Sequence, residues 1–157
     1  MAGKYYEQLE IGLVLQHEIR RTLTEMDNVL FSALTHNPAP LHIDEDYCRK
    51  HTEYGRRIVN SAFTIGLVVG VSVSDTTLGT TGGNLGFEEI RFPAPLFHGD
   101  TLRCETEVIS RRESASKPNV GIVVFEHRGF NQDDVLVARM RRVALMHKRP
   151  PAEGIAR

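Results

Sequence analysis

The sequence has no tryptophan, only two cysteines among its 157 residues, and no surplus of either charge. Its 19 Lys and Arg stand against 20 Asp and Glu, a formal net charge of -1. Each shortage excludes something. Cys48 and Cys104 form neither a disulfide framework nor a metal-ligand spacing, so they are expected to be packing residues. No signal-peptide pattern opens the chain, and a reducing cytoplasm is the expected compartment. No basic run exists, so no nucleic-acid partner is expected. Arg139, Arg141, Arg142, Lys148 and Arg149 are expected to flank a strand and a frayed end. The longest apolar stretch, Ile58 to Val73, is interrupted by Asn60, Ser61, Thr64 and glycines, which falls short of a membrane span. What remains is an ordinary mixture, 41% apolar and 25% charged. It is enough for one packed domain over residues 1–150, with residues 151–157 as a flexible C-terminal tail.

Hydrophobic periodicity orders the domain. Ile11, Leu13 and Leu15 alternate with other residues and "HEIRRTL" continues the pattern, which predicts an opening strand. Thr24 is an N-cap with Asp27 three residues on. Met26, Val29, Leu30, Ala33 and Leu34 then follow helical spacing to about Thr35, an amphipathic helix that Pro38 and Pro40 stop. Asp44 opens a short helix through "EDYCRK". "IVNSAFTIGLVVGVSVSDTT" is apolar all round, with Ala62, Gly66 and Gly70 in a row, which predicts a buried helix. "GTTGGN" reads as a flexible connection. "NLGFEEIRF", "TLRCETEVISRRE", "VGIVVFEHRGF" and "VLVARMRRVALM" read as four strands in a meander. In the second of these, Leu102, Cys104, Thr106 and Val108 share one face, and Arg103, Glu105 and Glu107 the other. Helices segregated from an antiparallel sheet define α+β, and one sheet wrapped around one long helix is the simplest arrangement.

Chemistry concentrates in "LTHNPAPLHIDEDY". Two histidines, an asparagine and prolines crowd between two helices, where an ordinary corner needs only turn residues. The stretch "FSALTHN" and "PAPLHID", Phe31 to Asp44, resembles the catalytic loop of the MaoC-like or (R)-specific enoyl-CoA hydratases. "YGRRIVNS", Tyr54 to Ser61, is similar to the start of that family's central helix, and "IRFPAPLFHGDTL", Ile90 to Leu102, to its conserved-looking corner. The resemblance implies the hotdog fold and hydration or dehydration across the 2,3 double bond of an enoyl-CoA thioester. It also implies a homodimer at least, and no cofactor, CoA being part of the substrate.

In that family an Asp and a His hold the water that adds to the alkene. Carried over, the His is His42, while the Asp falls on Asn37. An amide positions water but accepts no proton at neutral pH, so His42 alone would move the proton. The family's Gly before the Asp is His36 here, either a surface or a pocket residue. The Gly whose N–H meets the thioester oxygen is Ser61, which retains an N–H; its hydroxyl would cap the helix or narrow the pocket. Asn60 is an expected substrate contact. Arg56, Arg57 and Arg91 are candidates for the CoA phosphates. The polar set His36, Asn37, Asn60 and Ser61 suits a short branched or dicarboxylic acyl group such as mesaconyl or itaconyl.

Plainer readings stay open. Asn37 could be a left-handed helix C-cap, Asp44 the N-cap of "EDYCRK", and Asp100 a turn residue. His-x5-His suits no common metal spacing, and no metal is expected. Two rival functions remain: an acyl-CoA-binding or partner subunit that lost its Asp, and a thioesterase. Against the thioesterase stands the lack of a carboxylate between Ser61 and Ser74.

Overall fold

The computed structural model describes residues 3–151. The expected tail, apart from Pro151, lies outside the described residues. The opening strand is shorter than its periodicity predicts. Gly12 takes a positive φ of 85° in a turn, and only β1 (Val14–Gln16) and β2 (Arg21–Thr22) are strand. Thr24 then caps α1 (Glu25–Leu34). Its hydroxyl accepts the Asp27 N–H at 3.2 Å, and the Asp27 carboxylate accepts the Thr24 N–H at 2.8 Å. That backbone hydrogen bond is the main reason the Asp27 carboxyl titrates below its ordinary value. α2 (Pro40–Ile43) is a single turn, and Asp44 caps α3 (Glu45–His51) by accepting the Tyr47 N–H at 2.9 Å. α4 (Ser61–Thr76) is the long central helix.

The sheet contains β3 (Thr81–Arg91), β4 (Thr101–Glu113), β5 (Val120–Phe130) and β6 (Leu136–His147), all antiparallel. The order is β1-β4-β5-β6-β3, with β2 also on β4. Two expectations are corrected here. Only β4, β5 and β6 form a meander, since β3 lies beside β6 at the far edge. "GTTGGN" is not merely a connection, because Thr81 onward belongs to β3. The reason is the segment after β3. Its corner docks on the chain entering α4, where Val59 donates to the Leu96 carbonyl at 2.8 Å and Ile58 bridges Phe97. That anchorage carries β4 to the other side of the sheet.

β4 alternates as expected. Leu102, Cys104, Thr106 and Val108 are buried. On the other face Arg128 meets Glu105 at 2.7 Å, Glu107 at 2.9 Å and Glu126 at 3.1 Å. Val123, Phe125, Met140 and Ala144 continue the inner face, and α4 lies on it through Val68 and Val71. Close approach requires Gly129, where a Cβ would stand 2.8 Å from a Val68 methyl. Burying Val68 completely stabilises the fold by roughly 1.5–3 kcal/mol. One sheet laid over one helix is the hotdog arrangement. The helix is not buried all round, however: Ala62, Gly66 and Gly70 form an exposed row. Both cysteines are buried and unpaired, and burial pushes the Cys104 thiol up to about 12.

Candidate active site

The site forms where α1, the proline-rich loop and the N-terminus of α4 meet, and Asn28 ties them together. This residue is completely buried on α1. Its Nδ2 lies 3.1 Å from the carbonyl oxygen of His42, 3.1 Å from that of Ile58 and 3.0 Å from His98 Nε2, while its Oδ1 accepts the Asn60 N–H at 2.8 Å. α1 therefore presents a polar face inward. Asn28 and Ser32 are its buried residues, whereas Met26, Leu30 and Leu34 are exposed. The apolar spacing identified the helix but not its buried face. The loop's carbonyls and the entry to α4 need hydrogen-bond partners, and apolar side chains supply none.

His42 is buried at the end of α2, with Nδ1 3.0 Å from the Ile58 carbonyl oxygen. A carbonyl only accepts, so Nδ1 carries the proton and donates it. Nε2 is thereby left as a lone-pair acceptor, the form a general base requires. His98 has the complementary tautomer. Its Nε2 accepts from Asn28, and its pKa is pushed down, first by burial and then by the Arg57 guanidinium.

Asn37 and His36 stand in the turn that ends α1. Asn37 N–H donates to the Ser32 carbonyl at 2.9 Å and His36 N–H to that of Ala33 at 3.2 Å. The left-handed residue is His36, at φ 53°, and not Asn37. The Asn37 Oδ1 accepts the Ala39 N–H at 3.1 Å, which leaves one oxygen lone pair and the NH2 uncommitted. Both residues line a cavity of about 350 Å³ with Val29, Ser32, Pro38 and Ile43, and His36 is on its exposed side.

Asn60 and Ser61 exchange their expected parts. Asn60 is buried and caps α4 by accepting the Ala62 N–H at 3.0 Å, and its Nδ2 donates to Ser32 Oγ at 3.3 Å. Both of its amide atoms are thus engaged within the protein. The cap is thus Asn60 and not the Ser61 hydroxyl. Ser61 is the first helical residue, exposed, with an N–H that has no acceptor within the helix. That donor sits at the positive end of the α4 dipole.

The arginines divide. Arg57 is held between Glu25 at 2.8 Å and Glu45 at 2.9 Å. Arg56 is exposed, with its guanidinium carbon 3.7 Å from the Phe97 ring centroid. Arg91 is exposed on β3 and donates to the Ile90 carbonyl. Asp100 is a turn residue, accepting from the Phe97 N–H at 2.8 Å and from Gln132 at 3.0 Å. Among the described residues no group of three or more His, Cys, Asp or Glu could hold a metal ion, and no helix is long and apolar enough to cross a membrane. Asn28, Ser32 and His98 were absent from the expected site. The available signal was the i, i+4 polar pair Asn28 and Ser32 inside an otherwise apolar helical pattern.

An imidazole held beside a helix N-terminus on a hotdog scaffold is able to do acid–base chemistry, and the comparisons give the chain its family. Residues 7–128 match the MaoC like domain, and the chain belongs to the MaoC-like family. It is 30% identical over 151 residues to a mesaconyl-CoA hydratase of Cereibacter sphaeroides, covering 96% of this chain but 43% of that protein. The chain thus spans under half the length of that curated relative. A putative MaoC domain protein dehydratase from Chloroflexus aurantiacus superposes with a TM-score of 0.88 at 28% identity, over 96% of this chain and 42% of that one. The (R)-hydratase from A. caviae involved in PHA biosynthesis gives 0.72 at 27% identity, over 92% of this chain and 99% of that one.

Proposed function

We propose that the chain is a hydro-lyase that adds water to, or removes it from, the 2,3 double bond of an enoyl-CoA thioester. The observation that carries this reading is the His42–Ile58 hydrogen bond, which presents Nε2 as a base beside the α4 N-terminus. Asn37 orients the water through its free amide positions. As the water oxygen attacks C3, Nε2 takes its proton. The charge that moves onto the thioester oxygen is met by the Ser61 N–H. The resulting imidazolium then returns a proton to C2, so one water is added with no net proton change. Such a base contributes about 10²–10⁴-fold, and one oxyanion donor about 10²–10³-fold.

The acyl group is short, branched and dicarboxylic. The name of the mesaconyl-CoA hydratase supports this, as does the polar rim of His36 and Asn37. Arg56 and Arg91 are the candidates left for the CoA phosphates. The working unit is a homodimer, joined where the exposed α4 row and the open edge of β3 await cover. A second reading, an acyl-CoA-binding subunit without catalysis, draws on Asn37, whose oxygen already serves Ala39. Loss of enoyl-thioester absorbance with crotonyl-, hexenoyl-, mesaconyl- and itaconyl-CoA decides between them. Turnover of a short dicarboxylic thioester is expected. Binding with no turnover of any would favour the second reading.

A further inference from the structure

Arg142 lies on the inner sheet face at 5% exposure, and its Nε and Nη2 have no hydrogen-bond partner among the described residues, whereas Arg111, on the same face opposite Val123, donates to the Tyr6 and Glu7 carbonyls. Its neighbours behave otherwise. Arg128, Arg139 and Arg141 all reach glutamates on the outer face. Among the described residues no carboxylate pairs with Arg142, whose guanidinium carbon stands 5.5 Å from the Phe125 ring centroid. Burial alone brings its pKa down to about 10, so it remains a cation at neutral pH. The nearby His127 is held neutral, and its Nε2 is likewise unbonded. A buried charge with no ion partner is destabilising. The fold retains it against a cavity of about 320 Å³ that also holds Thr77, Gly79, Thr81, Gly83 and Asn84. Such a cavity suits a carboxylate, which matches the guanidinium fork and can also accept from the Asn84 amide.

The cavity lies at the wrong end of α4 for its own active site. Sixteen residues separate Ser61 from Thr77, about 24 Å of helix, far beyond a short acyl group. A second copy removes the difficulty. The exposed row Ala62, Gly66 and Gly70 permits close helix approach, and a two-fold axis crossing it near Gly66 sets two α4 helices antiparallel. Val71–Val73 of one copy then stand opposite Val59–Ser61 of the other, and Val73 lines the cavity. Antiparallel pairing of the two β3 edges around Gly86 acts in the same direction, bringing Thr81–Asn84 of one copy against Glu88–Arg91 of the other. Both open surfaces thus carry the Arg142 cavity of one copy toward the His42 site of its mate.

We propose that Arg142 of one copy binds the second carboxylate of an acyl group whose double bond lies at His42 of the other, so that each site is completed in trans. This rests on the hydro-lyase reading and assigns its substrate class: a thioester with a carboxylate on the far side of the alkene.

The test compares mesaconyl-CoA with 2-methylcrotonyl-CoA, in which a methyl group replaces that carboxylate. Arg142→Gln is expected to lower the ratio of kcat/KM for the two substrates about 100-fold, with Arg142→Lys recovering part of it. An unchanged ratio overturns the proposal. Stabilisation by free mesaconate that Arg142→Gln abolishes, with no preference between the thioesters, overturns it too, because the cavity would then hold an unrelated carboxylate. Co-expressing His42→Ala with Arg142→Gln checks the trans arrangement. Random pairing leaves one complete site in half the dimers, so about a quarter of wild-type mesaconyl-CoA activity returns. Two complementing sites within one copy would return none. A wild type that hydrates crotonyl-CoA and 2-methylcrotonyl-CoA but not mesaconyl-CoA sinks this inference and leaves the hydro-lyase reading standing. A wild type inert on every thioester sinks the reading itself.

Discussion

The imidazole Nδ1 of His42 lies 3.0 Å from the carbonyl oxygen of Ile58, sixteen residues along the chain and directly ahead of the central helix. One hydrogen bond thereby links the proposed base to the chain that leads into Ser61, the proposed oxyanion donor, and sets the tautomer. The ¹⁵N shifts of the His42 ring at neutral pH are expected to show Nδ1 protonated and Nε2 bare. The reverse pattern would mean that the Ile58 contact is not the one that orients the ring.

Asn28 fixes the same geometry from behind. Asn28→Ala leaves the Asn60 N–H and the Ile58 and His42 carbonyls short of a buried partner, and is expected to cost about 2–4 kcal/mol. Urea unfolding measures this. A loss below about 0.5 kcal/mol, the scale of a neutral surface change, would show that water replaces the amide.

Asn37→Asp keeps an acceptor for the Ala39 N–H and adds a carboxylate that can take a proton. The hydration kcat is expected to rise about tenfold or more. A fall would show that the amide NH2 positions the water in a way a carboxylate cannot.

Arg56 and Arg57 are adjacent but are expected to fail differently. Arg57→Ala breaks the bridges to Glu25 and Glu45 and lowers stability by about 1–3 kcal/mol. Arg56→Ala raises KM for CoA thioesters with little change in stability. Thermal melts and initial rates on both variants separate the two roles, and exchanged phenotypes would contradict them.

Stability is expected to fall as the medium is acidified below neutrality. Burial holds His127 at about 3 in the folded state, against 6.5 ordinarily, and depresses His98 as well. The unfolded chain therefore binds protons that the folded chain refuses between these values. The contribution of His127 is full above pH 6.5 and declines by about 1.4 kcal/mol per pH unit toward pH 3. Glu126, held low by its arginines despite burial, adds a loss at more acid pH. Urea unfolding at pH 7.5, 6.5 and 5.5 measures the slope, and His127→Gln is expected to flatten it. An equal slope in that variant would remove His127 as its source.

Local signals were legible in the sequence. Thr24 and Asp44 announce helix starts because capping chemistry is local, and the period of two in β4 holds from Leu102 to Val108, ahead of a bulge, because one of its faces is buried. Long-range pairing was not legible. Nothing in "NLGFEEIRF" says that it will lie beside β6, since that depends on the Leu96 and Phe97 corner docking ahead of α4. At the site, motif position singled out His42, Asn60, Ser61 and Arg57 but not the partners that hold Asn60 and Arg57 within the protein. A buried cap and a doubly paired guanidinium look like binding residues until their partners are known. Arg142 was within reach of alternation alone: it shares the parity of Met140 and Ala144, both inward, yet reads as one of the basic residues flanking a strand.

The most direct measurement is the rate of enoyl-CoA hydration by the wild-type protein and by His42→Ala, with melting temperatures taken on the same preparations. The proposed mechanism predicts a fall of at least about 100-fold on every thioester the wild type accepts, with folding preserved. A folded His42→Ala protein that hydrates within threefold of wild type would show that the proton moves through another group.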